Sequence, residues 1–275
     1  MKTLSFALFL LLSFNLSANP SVEERLTVLF DDIWHQTMIS NPTYATYVGY
    51  PGQNALWPNP SLAAHATNAA QRKELLRQLR SIDAEKLDKD RYLEWMLVEK
   101  SLSDEVAGQA YPEQFILVHQ RTGVQQDIAD TLSMMPKFSH QDFTDRLARL
   151  EKAESYILST IEVLREGLAR SITPPKITLR DVPGQIRNTI PTDIDKSPLL
   201  TSFSGFPDSI DQAEQEKITA RARQIIQQKI YPAFESLLHF LEDDYIPNSN
   251  VSIALIDMPN GAAWYRHRAK TFTTS

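Results

Sequence analysis

Zinc-dependent hydrolysis requires two imidazoles on one face of a helix with a carboxylate beside them as general base, which is the chemistry behind His-Glu-x-x-His. Histidines stand at His35, His65, His119, His140, His239 and His267. Each is followed by a residue other than Glu, and no two lie four positions apart. No metal or catalytic residue is therefore assigned, and no cofactor is expected in this chain. The nucleophile elbow Gly-x-Ser-x-Gly also fails, because the position two before Ser204 is Ser202. The glycines are dispersed and no Gly-Lys-Ser/Thr phosphate cradle occurs. Asp193 and Asp195 resemble the opening of a calcium loop, but Ser197 and Pro198 replace its third ligand and the following glycine.

Other polar groups offer less specific chemistry. The adjacent carboxylates Asp31-Asp32 and Glu242-Asp243-Asp244 point in different directions around a helix and read as solvated faces. His35 and His239 fall within helices and read as surface or satisfied core residues. The basic group Arg266, His267, Arg268 and Lys270 is either an anion site or a solvated helical face. Trp34 and Trp95 fall on apolar or boundary helix faces and read as core. Trp57 lies in a Pro-rich loop and Trp264 follows an Asn-Gly turn, where a large aromatic is either a plug over the core or part of a binding surface. Asn260, Gly261, Trp264 and Tyr265 are accordingly the candidate substrate-binding residues.

The elements that must position these groups read almost wholly as helix. Leu26, Leu29, Phe30, Ile33 and Trp34 form one apolar stripe, ended by Asn41-Pro42, and Tyr44 to Pro60 reads as loop. Ser61 caps a helix with Leu75, Leu76, Leu79 and Ile82 inward. A helix over 89–106 is expected to turn Tyr92, Leu93, Met96 and Leu97 inward. Phe115 to Val118 reads as a short strand or buried turn, and a helix follows from Gln125 to Ser133. Ser139, with Asp142 three residues on, opens the clearest long helix, carrying Phe143, Leu147, Leu150, Ile157, Ile161, Leu164 and Leu168. Pro174-Pro175 ends it. A helix over 178–189 follows, and then a second long one capped by Asp208 or Ser209, with a kink at Tyr231-Pro232. Val251 to Ile256 is β-prone. The expected fold is mainly α: a multi-helix bundle with long antiparallel helices and at most a short β segment near the C-terminus.

Residues 1–18 read as a signal peptide: Lys2, an apolar run from Leu4 to Leu12 extended by Phe14 and Leu16, then Leu16-Ser17-Ala18. A helix over Leu4–Leu16 is roughly 20 Å long, against roughly 30 Å of hydrocarbon, so cleavage is favoured over a membrane span. No later stretch is apolar enough to span. The expected location is periplasmic or secreted, and the absence of cysteine leaves neither disulfides nor a lipid-attachment site. A net charge of −6 lacks the basic footprint of a nucleic-acid binder.

Several segments together resemble the bacterial DUF885 family: Asn41-Pro42-Thr43-Tyr44-Ala45-Thr46-Tyr47-Val48-Gly49, Ser197-Pro198-Leu199-Leu200, Tyr231-Pro232-Ala233-Phe234, Met258-Pro259-Asn260-Gly261-Ala262-Ala263-Trp264-Tyr265 and Thr271-Phe272-Thr273-Thr274-Ser275. The resemblance covers essentially all of residues 19–275. It implies an exported helical protein about twice this length, similar to zinc metallopeptidases, with a His-Glu-x-x-Pro-Gly-His-His segment in its second half. No position here matches that segment, so no ligand or base is carried over. The implied role is a truncated N-terminal region that covers and shapes the channel for a peptide substrate, with the missing C-terminal half as partner and zinc belonging only to the full-length family. The alternative is a self-sufficient periplasmic helical protein that binds a peptide or other ligand.

Overall fold

The structure is a computed structural model describing residues 20–273; the signal peptide read over residues 1–18 lies outside them. α1 (Val22–Ser40) starts at a capping box in which Glu24 N–H donates to Ser21 Oγ at 3.0 Å and Ser21 N–H donates to Glu24 Oε2 at 2.7 Å. Asn41 ends it and caps α2 (Pro42–Tyr47), with Pro42 pre-set at the first helical position. The stretch read as loop from Tyr44 thus begins inside a helix. α3 (Leu62–Arg80) is capped by Ser61 and α4 (Lys89–Gly108) by Asp88. α5 (Val124–Met134) leads to α6 (His140–Ala169), opened by the Ser139/Asp142 capping box.

The helix expected over 178–189 is two: α7 (Lys176–Leu179) and α8 (Val182–Thr189). Pro183 explains the break, because it has no N–H for the Leu179 carbonyl and its ring would collide with it. After α9 (Pro198–Thr201), α10 (Gln212–Ile225) is capped by Asp211, later than Asp208 or Ser209. It continues through a π-helical turn at Ile226–Ile230 into α11 (Tyr231–Phe240) and a second π turn at Leu241–Tyr245. The irregularity read at Tyr231-Pro232 is this first π turn. Tyr231 N–H reaches Ile226 O, so the helix absorbs a proline without stopping. α12 (Gly261–Phe272) closes the described chain.

Two packing units result. In the first, α3 and α4 are antiparallel: Arg80 pairs with Glu99, Arg72 with Glu105, and Trp95 Nε1 donates to Leu79 O at 3.0 Å. α1 joins them around Leu26, Leu29, Leu75, Leu76, Leu79, Ile82 and Leu102. Here the expected face of α4 is reversed. Tyr92, Leu93, Met96 and Leu97 are 45%, 49%, 42% and 61% exposed. Two apolar stripes run along α4, and the one holding Trp95, Val98, Leu102 and Val106 packs on the cluster. Trp34, expected in the core, is half exposed and meets Tyr44 edge-on.

The second unit holds the main core, from α5 through α11, with Phe143, Leu150, Ile157 and Leu164 of α6 facing Ile218, Ile225, Ile230 and Phe234. The two longest helical stretches lie side by side and parallel, not antiparallel. Partner numbers rise together: His140 with Glu214, Glu151 with Arg221 and Lys229, Arg165 over Phe240. The chain returns through α7, α8 and α9, which is length enough to bring it back to the start of α6.

No strand forms among the described residues. Phe115 and Val118 are a buried turn, and the β-prone Val251 to Ile256 stretch ends in a 3-10 turn at Leu255–Asp257.

α6 carries two fully buried arginines. Arg146 donates to the carbonyls of Ser202, Met135 and Pro136. Arg149 Nη2 donates to Thr46 Oγ1 at 2.8 Å and to the carbonyls of Gln53 and Pro42 at 2.7 and 3.1 Å. Burial lowers both guanidinium pKa values to about 10, so both stay charged at neutral pH. Trp57 lies over Arg149, donates to its carbonyl at 2.7 Å and stacks on Tyr156, which makes it a plug. Arg149→Met would leave the buried Thr46 hydroxyl without its donor and strip one of their donors from the Pro42 and Gln53 carbonyls, which keep Thr46 Oγ1 and the Leu56 N–H. It is expected to cost about 2–4 kcal/mol in a denaturant titration. Lys152→Met, next along the helix but exposed, should cost less than about 0.5 kcal/mol; equal losses would refute the anchoring role.

Candidate functional site

The Met258–Tyr265 segment supplies the sequence-derived candidates, and a steric constraint places it. A Cβ on Gly261 would stand 1.9 Å from the Leu255 carbonyl oxygen, so α12 starts hard against the preceding turn only because this residue has no side chain. Asn260, left-handed at φ 57°, makes the reversal. These two residues therefore aim α12.

Its inner face then docks on the segment that follows α4. Trp264, 2% exposed, donates from Nε1 to Glu113 Oε1 at 2.9 Å, and Arg268 Nη1 donates to the same oxygen at 2.8 Å. The Trp264 ring lies nearly parallel to Tyr111, 6.3 Å away, and His267 stacks on that ring's other neighbourhood at 5.0 Å. Glu113 is itself fixed from below. It begins the 3-10 turn Glu113–Phe115, and buried Phe115 packs where α6 carries Gly167, whose added Cβ would meet Phe115 Cβ at 2.9 Å. Tyr265 points outward, 63% exposed, and Asn260 is exposed as well.

The Glu113–Trp264–Arg268 node is a wall between two clefts. One, of about 420 Å³, is bordered by His65, Asp104, Glu105, Tyr111, His267 and Phe272. The other, of about 500 Å³, is bordered by Ile116, His119, Arg121, Pro175, Leu255 and Met258. Trp264 is legible in the sequence, as a large aromatic after a turn, whereas Glu113, Tyr111 and Arg121 are not. No local pattern marks them, because they reach Trp264 only through tertiary contacts across α4, α6 and α12.

The first cleft brings together two of the six histidines, yet its polar groups are engaged elsewhere. Glu105 pairs with Arg72 at 3.4 Å, Asp104 with Lys100, and His267 lies against Tyr111. Among the described residues no group of three or more His, Asp or Glu side chains converges as metal ligands. The donor set of the described residues does not fit zinc. His35 meets the Tyr50 hydroxyl at 2.7 Å and His140 meets Glu214 at 3.2 Å, both at the surface. A third, smaller cleft of about 310 Å³ holds Asp127 and Asp130 beside Tyr44, Tyr47 and Tyr156. Burial pushes the Asp127 carboxyl above the usual range, and the neighbouring Asp130 charge adds to this.

The family model described as "Bacterial protein of unknown function (DUF885)" matches residues 42–275. No curated protein matches the chain. Among solved structures, one from Colwellia psychrerythraea, of a protein provisionally designated a lipoprotein, is similar with a TM-score of 0.81 at 16% identity. The match covers 93% of this chain and 46% of that one, so the chain spans about half the length of that relative. At this identity the likeness establishes the helical fold alone. Among the described residues no helix is long and apolar enough to cross a membrane.

Two measurements check the site's construction. Gly261→Ala should displace α12 and lower the melting temperature by several degrees, whereas Gly184→Ala, in open space within α8, should stabilise by about 0.5–1 kcal/mol. The same sign for both would contradict the contact at Leu255. Because the Asp127 pKa is raised on folding, its ionisation removes stability as pH rises through that value. Asp127→Asn should thus unfold later than the parent at pH 7, the difference closing as pH falls below about 3, where both states of the parent hold the proton. A pH-independent difference would refute the burial effect.

Proposed function

The chain belongs to the bacterial DUF885 family, and from that premise we propose that it is the exported, substrate-facing helical portion of a zinc-peptidase-like protein, unable to hydrolyse peptides by itself. One observation carries this reading. A solved structure, of which this chain accounts for only 46%, matches 93% of it, while among the described residues no set of metal donors converges in a cleft. The helices build walls: the Trp264 node divides two clefts, Asn260 and Gly261 set the angle of α12, and Tyr265 stands exposed beside them. These features support the reading of a surface that receives and orients a peptide. Cleavage would then fall to ligands and a general base outside this chain, because hydrolysis of this type needs imidazoles and a carboxylate around one ion.

Export is supported by the signal-like pattern of residues 1–18 and by the lipoprotein designation of the structural relative. This chain contains no cysteine, so the lipid attachment that such a name implies is not carried over. The proposed location is periplasmic or secreted.

The test is direct. Purified chain, dialysed against zinc and then desalted, should retain far less than one equivalent by elemental analysis and leave internally quenched peptides intact. Stoichiometric zinc, with turnover abolished by a chelator and restored by the metal, would overturn the proposal.

A further inference from the structure

Between the second π turn and α12 the fold leaves peptide backbone unused. The segment is pinned at its start, where Asn250 N–H donates to Thr173 Oγ1 at 2.9 Å, Asn250 Nδ2 donates to Thr173 O at 3.0 Å, and Lys176 N–H donates to Asn250 O at 2.7 Å. It is pinned again downstream. Ser252 Oγ donates to Asp257 Oδ2 at 2.5 Å, Ala254 N–H donates to Ser252 Oγ at 3.1 Å, and Gly261 locks under Leu255. Between these clamps the backbone N–H and C=O groups of Val251, Ser252 and Ile253 bond to nothing among the described residues. Val251 and Ile253 are 85% and 78% exposed.

A segment with β-branched, apolar side chains at Val251 and Ile253 and with open backbone groups, held at both ends, is a template for strand addition. Its length, roughly 10 Å at about 3.3 Å per residue, suits a short peptide. The segment also runs into the larger cleft, since Leu255 and Met258 border that cleft on one side and Pro174, Pro175 and Thr178, next to the Thr173 clamp, border it on another. The ionisable groups facing the cleft are Glu113, His119, Arg121 and Arg268. Glu113 is spent on Trp264 and Arg268, whereas the Arg121 guanidinium has no partner among the described residues. The free charge there is positive.

We propose that Val251–Ile253 is an edge onto which an extended peptide adds as a strand, with an acidic group of that peptide reaching Arg121 in the adjoining cleft. This rests on the substrate-facing role assigned above and names the ligand class: an extended, β-prone peptide with a carboxylate near one end. Main-chain hydrogen bonds supply the affinity, and Arg121 supplies the preference for a negative end.

Fluorescence anisotropy on the whole chain tests this, using a labelled, acetylated Thr-Val-Thr-Val-Thr-Asp peptide. Saturable binding is expected. Of two versions N-methylated on alternate residues, one should bind about tenfold more weakly and the other nearly as the parent, because only every second amide faces the edge. Ile253→Pro, which removes a donor with no partner among the described residues, should weaken binding about tenfold, with the melting temperature read alongside to separate lost binding from lost fold. Arg121→Ala should weaken the acidic peptide severalfold and leave its amidated, Asn-ended counterpart unaffected. Equal binding of both N-methylated peptides overturns the proposal, as does absence of saturation at millimolar peptide. So does a dimer, seen by light scattering, that Ile253→Pro dissolves, since a second copy would then occupy the edge. None of these outcomes bears on zinc retention or hydrolysis, so the functional proposal stands or falls separately.

Discussion

A helix buried along most of its length must still satisfy the polar backbone of the loops that surround it. α6 meets this requirement with two guanidinium groups, and the remainder of the molecule is hung on the result. Arg149 gathers the chain from Pro42 to Gln53, and Arg146 gathers Met135, Pro136 and Ser202. Such groups are costly to bury; Arg146 is met by three carbonyl oxygens, and Arg149, through Nη2 alone, by two carbonyls and the Thr46 hydroxyl. In the last turn of the same helix stands Gly167, where the missing side chain lets Phe115 approach. Phe115 fixes the turn that carries Glu113, and Glu113 fixes Trp264 and Arg268. The wall between the two clefts is thus set by α6, although α6 contributes no side chain to it.

This dependence explains what the sequence discloses and what it hides. Caps and stripes are local, so Ser61 and the Ser139/Asp142 box are legible, as are the inward Leu75, Leu79, Phe143, Leu150 and Ile157. The mainly α character follows from the same periodicities. Where two stripes share one helix, periodicity alone cannot choose between them. α4 presents Trp95 and Leu102 to its neighbours and turns Leu93 and Leu97 to solvent. Direction is hidden too, because the parallel run of α6 with α10 and α11 depends on how the chain returns between them. For the site, Trp264 was legible as a large aromatic after a turn, but its partner Glu113 stands 151 residues earlier and carries no mark.

Val251 to Ile256 shows the opposite case, in which a local preference is real and the fold leaves it unmet. The β-branched residues favour an extended, paired strand, yet no partner strand exists among the described residues. Two clamps hold the stretch in place beside a cleft whose free charge is positive. The solved relative, of which this chain covers 46%, shows that the same helical architecture occurs within a chain about twice as long.

The central claim is that a rigid but unpaired backbone edge lies between Asn250 and Ala254, and amide hydrogen exchange resolved by residue reads it most directly. The account predicts that the Val251, Ser252 and Ile253 amides exchange at nearly the open-chain rate, while Asn250, Ala254 and Lys176, each held by a hydrogen bond, exchange much more slowly. Slow exchange throughout 251–253 in the free monomer would show that the edge is already paired, and fast exchange at all six would show that it is not held; either result would contradict the account.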